Sequence, residues 1–151
     1  MNLTGLQKLQ LDEFASQNNI RFVVLFGSQL QLQRPPRDGA DFDIAVSLTK
    51  RTSFMGDFKL YSQILDGLST ILGIACEKID LTDLDNANIL LRYEITSRGE
   101  LLYGNELDYL ELKSFAFRDH IDARGLRDLE SCLIGKRQKM ILEALEAITS
   151  R

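Results

Sequence analysis

Hydrophobic and polar positions along this chain repeat with two different periods, and each change of period marks a new element. Between residues 3 and 17, Leu6, Leu9, Phe14 and Ala15 stand among polar neighbours. That spacing predicts an amphipathic helix, stopped near Asn18 and Asn19. Residues 21–26, RFVVLF, are almost wholly apolar and rich in β-formers. A strand that short and that apolar is expected to be buried on both faces and therefore central in its sheet. Residues 41–48 alternate cleanly: Phe42, Ile44, Val46 and Leu48 fall on one face, with Asp41, Asp43, Ala45 and Ser47 on the other. Residues 53–72 set Phe54, Phe58, Tyr61, Ile64, Leu65, Leu68, Ile71 and Leu72 at helical spacing, closed by Gly73. Residues 78–82 alternate again, with Ile79 and Leu81 on the core face and Asp80 opposite. Asp85 is expected to cap a helix over residues 87–97, stopped at Gly99, and residues 100–103 read as a short edge strand. From residue 107 onward the pattern is helical, and Leu126, Leu129, Leu133, Met140 and Leu145 form a stripe in the last helix. The stripe has two readings: packing on the domain core, or a surface that presents Phe115, Phe117 or Met140 to a helical partner.

A strand, loop, strand, helix and strand followed by helices predict an α/β (α+β) fold, a small mixed sheet with flanking helices and a helical C-terminal tail. The 151 residues fit one domain, 1–151, with a core over about 20–104 and C-terminal helices over about 106–149. Composition supports a soluble globular chain, with 44% hydrophobic and 26% charged residues. A net charge of -4 argues against direct binding of nucleic acid, which calls for a basic stripe. No apolar run approaches the roughly 20 residues of a membrane helix, and the N-terminus lacks the pattern of a secretory signal. Cys76 and Cys132 stand far apart with no metal or redox spacing, so they read as reduced thiols of a cytoplasmic protein. His120 is the single histidine and reads as a packing residue, which excludes mechanisms needing several imidazoles. Tyr61, Tyr93, Tyr103 and Tyr109 likewise read as packing residues.

The chemistry concentrates in residues 21–46. On a strand, residues two apart project from the same face about 6.6 Å from one another. Asp41 and Asp43 so placed can converge on hard cations, which take a few carboxylate oxygens together with substrate phosphates. By itself such a pair is more often a solvated acidic face. Gly27 after a buried strand permits close approach of the backbone to an anion, and Ser28 adds a hydroxyl. A lone Gly-Ser is more often an ordinary turn. Together they are more specific: phosphate donors, a loop of twelve residues (29–40), then metal ligands on a neighbouring strand. That loop holds both prolines, Pro35 and Pro36, followed by Asp38-Gly39, with Arg34 and Arg37 read as solvated. Asp80 supplies the third carboxylate, because it lies on the same face as Asp43, whereas Asp83 shares the core parity of Ile79 and Leu81.

The segments LFGSQ, DFDIAV and KIDLTDL resemble the minimal nucleotidyltransferases of the polymerase-β-like superfamily, whose mark is Gly-Ser, a spacer, D-x-D and a third carboxylate. The downstream ILLRYEITSRGELLYGNELDYLELKSFAFRD is similar to the antitoxin branch of that group, found in HEPN/MNT toxin–antitoxin systems. The resemblance implies that Gly27 and Ser28 hold the triphosphate of ATP and that Asp41 and Asp43 bind Mg2+. It implies that Asp80 completes the metal site and helps activate the attacking hydroxyl. It further implies AMP transfer to a tyrosine hydroxyl of a cognate HEPN-type toxin, with which the chain forms a hetero-oligomer. The choice of ATP over other triphosphates rests on the resemblance alone. Two other readings stand beside it: a catalytically silent antitoxin that occludes its toxin, and a transferase acting on a small molecule such as an antibiotic. The loop between Gly-Ser and Asp41 is longer than is usual in the antitoxin branch.

Overall fold

Local capping signals set the ends of the helices, and apolar faces decide where each helix lies. The structure, a computed structural model, describes residues 3–30, 41–50 and 53–149. The 31–40 segment, with both prolines, Arg34, Arg37 and Asp38-Gly39, lies outside the described residues. Helix α1, Gly5–Gln17, begins at a capping box: the Gln7 N–H donates to Thr4 Oγ1 at 3.3 Å, and the Thr4 N–H donates to Gln7 Oε1 at 3.0 Å. It buries Leu11 and Ala15, with Phe14 packed beside them. Leu6 and Leu9, expected on the apolar face, are instead 67% and 68% exposed. At 100° per residue they lie around the far side of the helix from Leu11 and Ala15.

Strand β1, Ile20–Phe26, runs antiparallel to β2, Phe42–Leu48, which is parallel to β3, Ile79–Asp83. The sheet is closed on the other side of β1 by the antiparallel β4, Glu100–Tyr103, giving the order β3-β2-β1-β4. The expectation for RFVVLF holds: β1 is an inner strand, and its two sets of side chains enter two different cores. Val23 and Leu25 join Ile44, Val46, Ile79 and Leu81 against α1 and against α2, Phe58–Leu72. Phe22, Val24 and Phe26 join Ala45 and Leu84 on the opposite face, under α3, Ile89–Arg98, and α4, Glu106–Asp122.

Helix α2 makes the crossover that the parallel β2–β3 pair requires. It starts five residues later than the apolar spacing suggests, because Asp57 accepts from the Leu60 N–H at 3.1 Å and caps it there. Phe54 is fully buried ahead of the helix, and Phe58 is exposed on its first turn. Gly73 ends it in the left-handed region at φ 68°, as the glycine position predicted. The cap of α3 is Asn88, which accepts from the Leu91 N–H at 2.9 Å, and not Asp85. Asp85 accepts instead from the Leu48 N–H at 3.1 Å, tying the end of β2 to the turn after β3.

Asp83 is buried, and its carboxylate accepts from Asp85 N–H at 3.1 Å, Asn86 N–H at 3.3 Å and Asn86 Nδ2 at 2.9 Å. Its role is to hold that turn, in agreement with its core parity. Asp83→Ala is expected to lower unfolding stability by about 1–3 kcal/mol, since three part-buried N–H donors lose a charged acceptor. Urea denaturation checks this, and a loss under about 0.5 kcal/mol, the level of a neutral surface change, would refute the role.

Helix α5, Arg124–Thr149, corrects the packing expectation for the leucine stripe. Leu126, Leu129, Leu133 and Met140 are all more than half exposed and do not pack on the domain core. The helix meets the body near its start, where the Arg127 guanidinium reaches both the His120 ring and the His120 carbonyl, the latter at 3.1 Å. His120 in turn stacks on Tyr93 with ring centroids 4.0 Å apart. Partial burial, with Arg127 and Arg124 nearby, holds its imidazole below the ordinary pKa. His120 is a junction residue. Among the described residues, no helix is long and apolar enough to cross a membrane.

Candidate active site

The end of β1 is where the buried strand meets charge. Phe26 pairs with Asp43 across the β1–β2 ladder, and Asp43 pairs with Asp80 across the parallel β2–β3 ladder. Phe42, Ile44, Ile79 and Leu81 all enter the core on the α1–α2 side. Alternation therefore directs Asp43 and Asp80 to the opposite face, the one that α3 and α4 cover further along at Ala45. Adjacent strands lie about 4.8 Å apart, which sets the two carboxylates side by side. Asp41 stands just ahead of β2, one residue before the strand that was expected to include it. Asp80 stands in register with Asp43, whereas the Asp83 carboxylate is taken up by its turn.

Gly27 opens a 3₁₀ turn, Gly27–Leu30, directly after β1. Its φ of +79° is left-handed, and a Cβ built on it would lie 1.9 Å from Asp43 Oδ2 and 2.7 Å from Asp43 Cγ. Only glycine satisfies both conditions at once. Close approach to an anion was expected of Gly27, and the anion it approaches in the fold is the Asp43 carboxylate itself. The Ser28 backbone N–H donates to that same carboxylate. Ser28 itself is exposed.

The electrostatics of the cluster disfavour the charged form of Asp43. Burial raises the Asp43 pKa above the ordinary carboxylate range, and the neighbouring Asp80 and Asp41 raise it further, while the Ser28 N–H opposes them. Among the described residues no three His, Cys, Asp or Glu side chains are already drawn together as a ligand set. Asp43 and Asp80 share a face and Asp41 adds to the field at Asp43, but the three do not form a closed cage. An all-oxygen, acidic set of this kind suits a hard divalent cation that brings further ligands with it. None of the three lines the cleft of about 860 Å³ bordered by Arg21, Asp85, Arg92 and α4. Arg92 there already donates to the carbonyls of Asp85 and Ala87, both at 2.9 Å.

Comparison with known proteins gives the family and the fold. The sequence model of the polymerase beta nucleotidyltransferase family matches residues 9–108, from α1 to the first turn of α4. No curated protein matches the sequence. Several solved toxin–antitoxin structures resemble the fold. One, determined with AMP-PNP, has a TM-score of 0.53 at 20% identity, covering 91% of this chain and 98% of that one. A chain of the MntA–HepT complex has a TM-score of 0.51 at 19% identity, covering 94% and 99%. A complex of the tri-AMPylated Shewanella oneidensis HEPN toxin with its MNT antitoxin has a TM-score of 0.50 at 20% identity, covering 93% and 97%. At such identities the likeness is one of fold.

Proposed function

The chain belongs to the polymerase beta nucleotidyltransferase family, and on that premise we propose that it transfers AMP from ATP to a tyrosine hydroxyl of a HEPN-type toxin, neutralising it. The observation that carries this reading is the pairing of Asp43 with Asp80 across β2 and β3, with Asp41 close enough to act on Asp43, beside the Gly27–Ser28 turn. A protein that acted by occlusion alone would need none of these groups, and their mutual repulsion has no use without a cation. The solved complexes with AMP-PNP and with a tri-AMPylated toxin supply the nucleotide and the acceptor class by analogy.

Asp41, Asp43 and Asp80 would hold Mg2+, which when bound offsets the charge of the triphosphate and of the leaving pyrophosphate. Gly27 keeps the turn close to Asp43, and the Ser28 hydroxyl orients a phosphate oxygen. The acceptor oxygen forms a bond to the α-phosphorus as the bond to the bridging oxygen breaks, and pyrophosphate departs. The acceptor proton passes to the Asp80 carboxylate. Asp80 suits that role because it is exposed on the edge strand β3, where a large acceptor has access. Positioning and charge stabilisation supply most of the acceleration in such transfers.

The test is incubation with ATP labelled at the α-phosphate, Mg2+ and the purified product of the neighbouring gene. Label is expected on a tyrosine of that protein, with pyrophosphate released, and chelation of the metal is expected to stop the transfer. An unlabelled partner under these conditions would overturn the proposal.

A further inference from the structure

Helix α4 carries two apolar faces, and the core uses only one. Tyr109, Leu112 and Ala116 point into the sheet. Leu107, Leu110, Phe117 and Ile121 are spaced three, seven and four residues apart and, with Ser114 among them, fall within an arc of about 80° on the other side. All four are exposed, Leu107 at 72% and Phe117 at 52%. Between this stripe and α3 runs a groove of about 770 Å³. Tyr93 and Thr96 form one wall, Leu110 and Phe117 the other, with the Tyr93 and Phe117 rings 6.2 Å apart. Its lining carries two charges, Lys113 and Arg118, which flank the stripe on either side. Neither makes an ion pair among the described residues. In a chain of net charge -4 this is an apolar groove with a basic rim.

We infer that the α3–α4 groove docks the acceptor protein, by seating an amphipathic helix whose apolar anchors pack against the Tyr93–Phe117 ring pair and Leu110 and whose acidic flanks pair with Lys113 and Arg118. Apolar anchors at helical spacing supply affinity in such grooves, and the flanking charges set register and rate of encounter. The location fits the task. α3 and α4 cover the same sheet face from which Asp43 and Asp80 project, so a protein held on their outer surface lies on the catalytic side of the sheet. The identity of the occupant as the acceptor rests on the function proposed above; the groove and its charge do not.

The test uses two variants of the full chain, Phe117→Asp and the double charge reversal Lys113→Glu with Arg118→Glu. The acceptor is the purified neighbouring-gene product, and its affinity is measured by calorimetry at low and at physiological salt. Both variants are expected to weaken binding by tenfold or more, the effect of losing one interface anchor, and the double reversal is expected to invert the salt dependence, because salt then screens a repulsion. Binding of a fluorescent ATP analogue with Mg2+ is expected to stay at the wild-type level and verifies that the fold is intact. Wild-type affinity in both variants overturns the inference, even if the acceptor is still labelled, in which case the transferase reading stands alone. Loss of binding in the variants, with no labelling by the wild type, upholds the groove and sinks the transferase reading. If the wild type sediments as a dimer that Phe117→Asp dissociates without changing acceptor affinity, the groove belongs to a second copy and the inference falls.

Discussion

Asp43→Asn is expected to lower AMP transfer by on the order of 10²–10³-fold or more, while the metal-free protein melts no lower than the wild type. The two halves have one cause. Asp43 sits between Asp41 and Asp80 in a partly buried position, and both neighbours push its pKa up. The folded state thus binds a proton more readily there than the unfolded chain does. Between the ordinary and the raised pKa, the folded state carries the extra proton, so stability falls as pH rises through that window. Above it, the ionised carboxylate is a net cost to the metal-free fold. Asparagine keeps the shape and can still accept from the Ser28 N–H, but it removes the charge. The same charge is what a divalent cation requires, so a thermal shift on adding Mg2+ is expected for the wild type and its loss for the variant. Initial rates at saturating ATP and Mg2+, with melting curves across pH with and without metal, separate these effects. Transfer within tenfold of wild type would exclude Asp43 as a metal ligand. A metal-free melting temperature several degrees lower would exclude the repulsion account.

Gly27→Ala is expected to be nearly as damaging to transfer and, unlike the first variant, to cost stability. A non-glycine residue held at a φ of +79° is strained by about 1–2 kcal/mol. The new methyl would also fall 1.9 Å from Asp43 Oδ2, so the turn or the carboxylate has to move. Either movement breaks the Ser28 N–H contact and shifts a carboxylate whose function depends on placement within about 0.5 Å. The expected result is a loss of 10²-fold or more in transfer, an unfolding free energy lower by about 1–3 kcal/mol, and little thermal shift on adding Mg2+. Steady-state kinetics and urea denaturation, followed with and without metal, check it. A stable variant of near wild-type activity would mean that Gly27 serves only as a turn.

Several features of the site were legible in the bare chain because they follow from alternation along a strand. Phe42 and Ile44, like Ile79 and Leu81, announce which way Asp43 and Asp80 point, and the same parity consigns Asp83 to the core. The double burial of β1 follows from an apolar run too short for a helix. Helix starts were less legible. The DLDNAN stretch offers Asp83, Asp85, Asn86 and Asn88 as hydrogen-bond acceptors within six residues. Local spacing does not say which of them caps a helix and which ties strands together. Spacing alone places Asp85 at the helix start, whereas its carboxylate ties down the end of β2, because the fold brings Leu48 beside it. Leu6 and Leu9, and the stripe of α5, show the same limit from the other side. An apolar residue in a helical pattern states what the helix offers, not whether anything lies against it.

The sequence by itself determined the strands, the faces on which their side chains lie, the family motif and which three carboxylates are candidates for the site. These are consequences of a period of two and of residue chemistry, and both are local. Only the tertiary structure decided that Asp43 and Asp80 stand in register, since pairing residues 37 positions apart depends on the α2 crossover. Only it decided that Gly27 makes room for a carboxylate and that the Ser28 N–H is already engaged. It likewise left the outer stripe of α4 uncovered while burying the inner one. Burial is a property of what the rest of the chain places against a surface, and no window of residues contains that information.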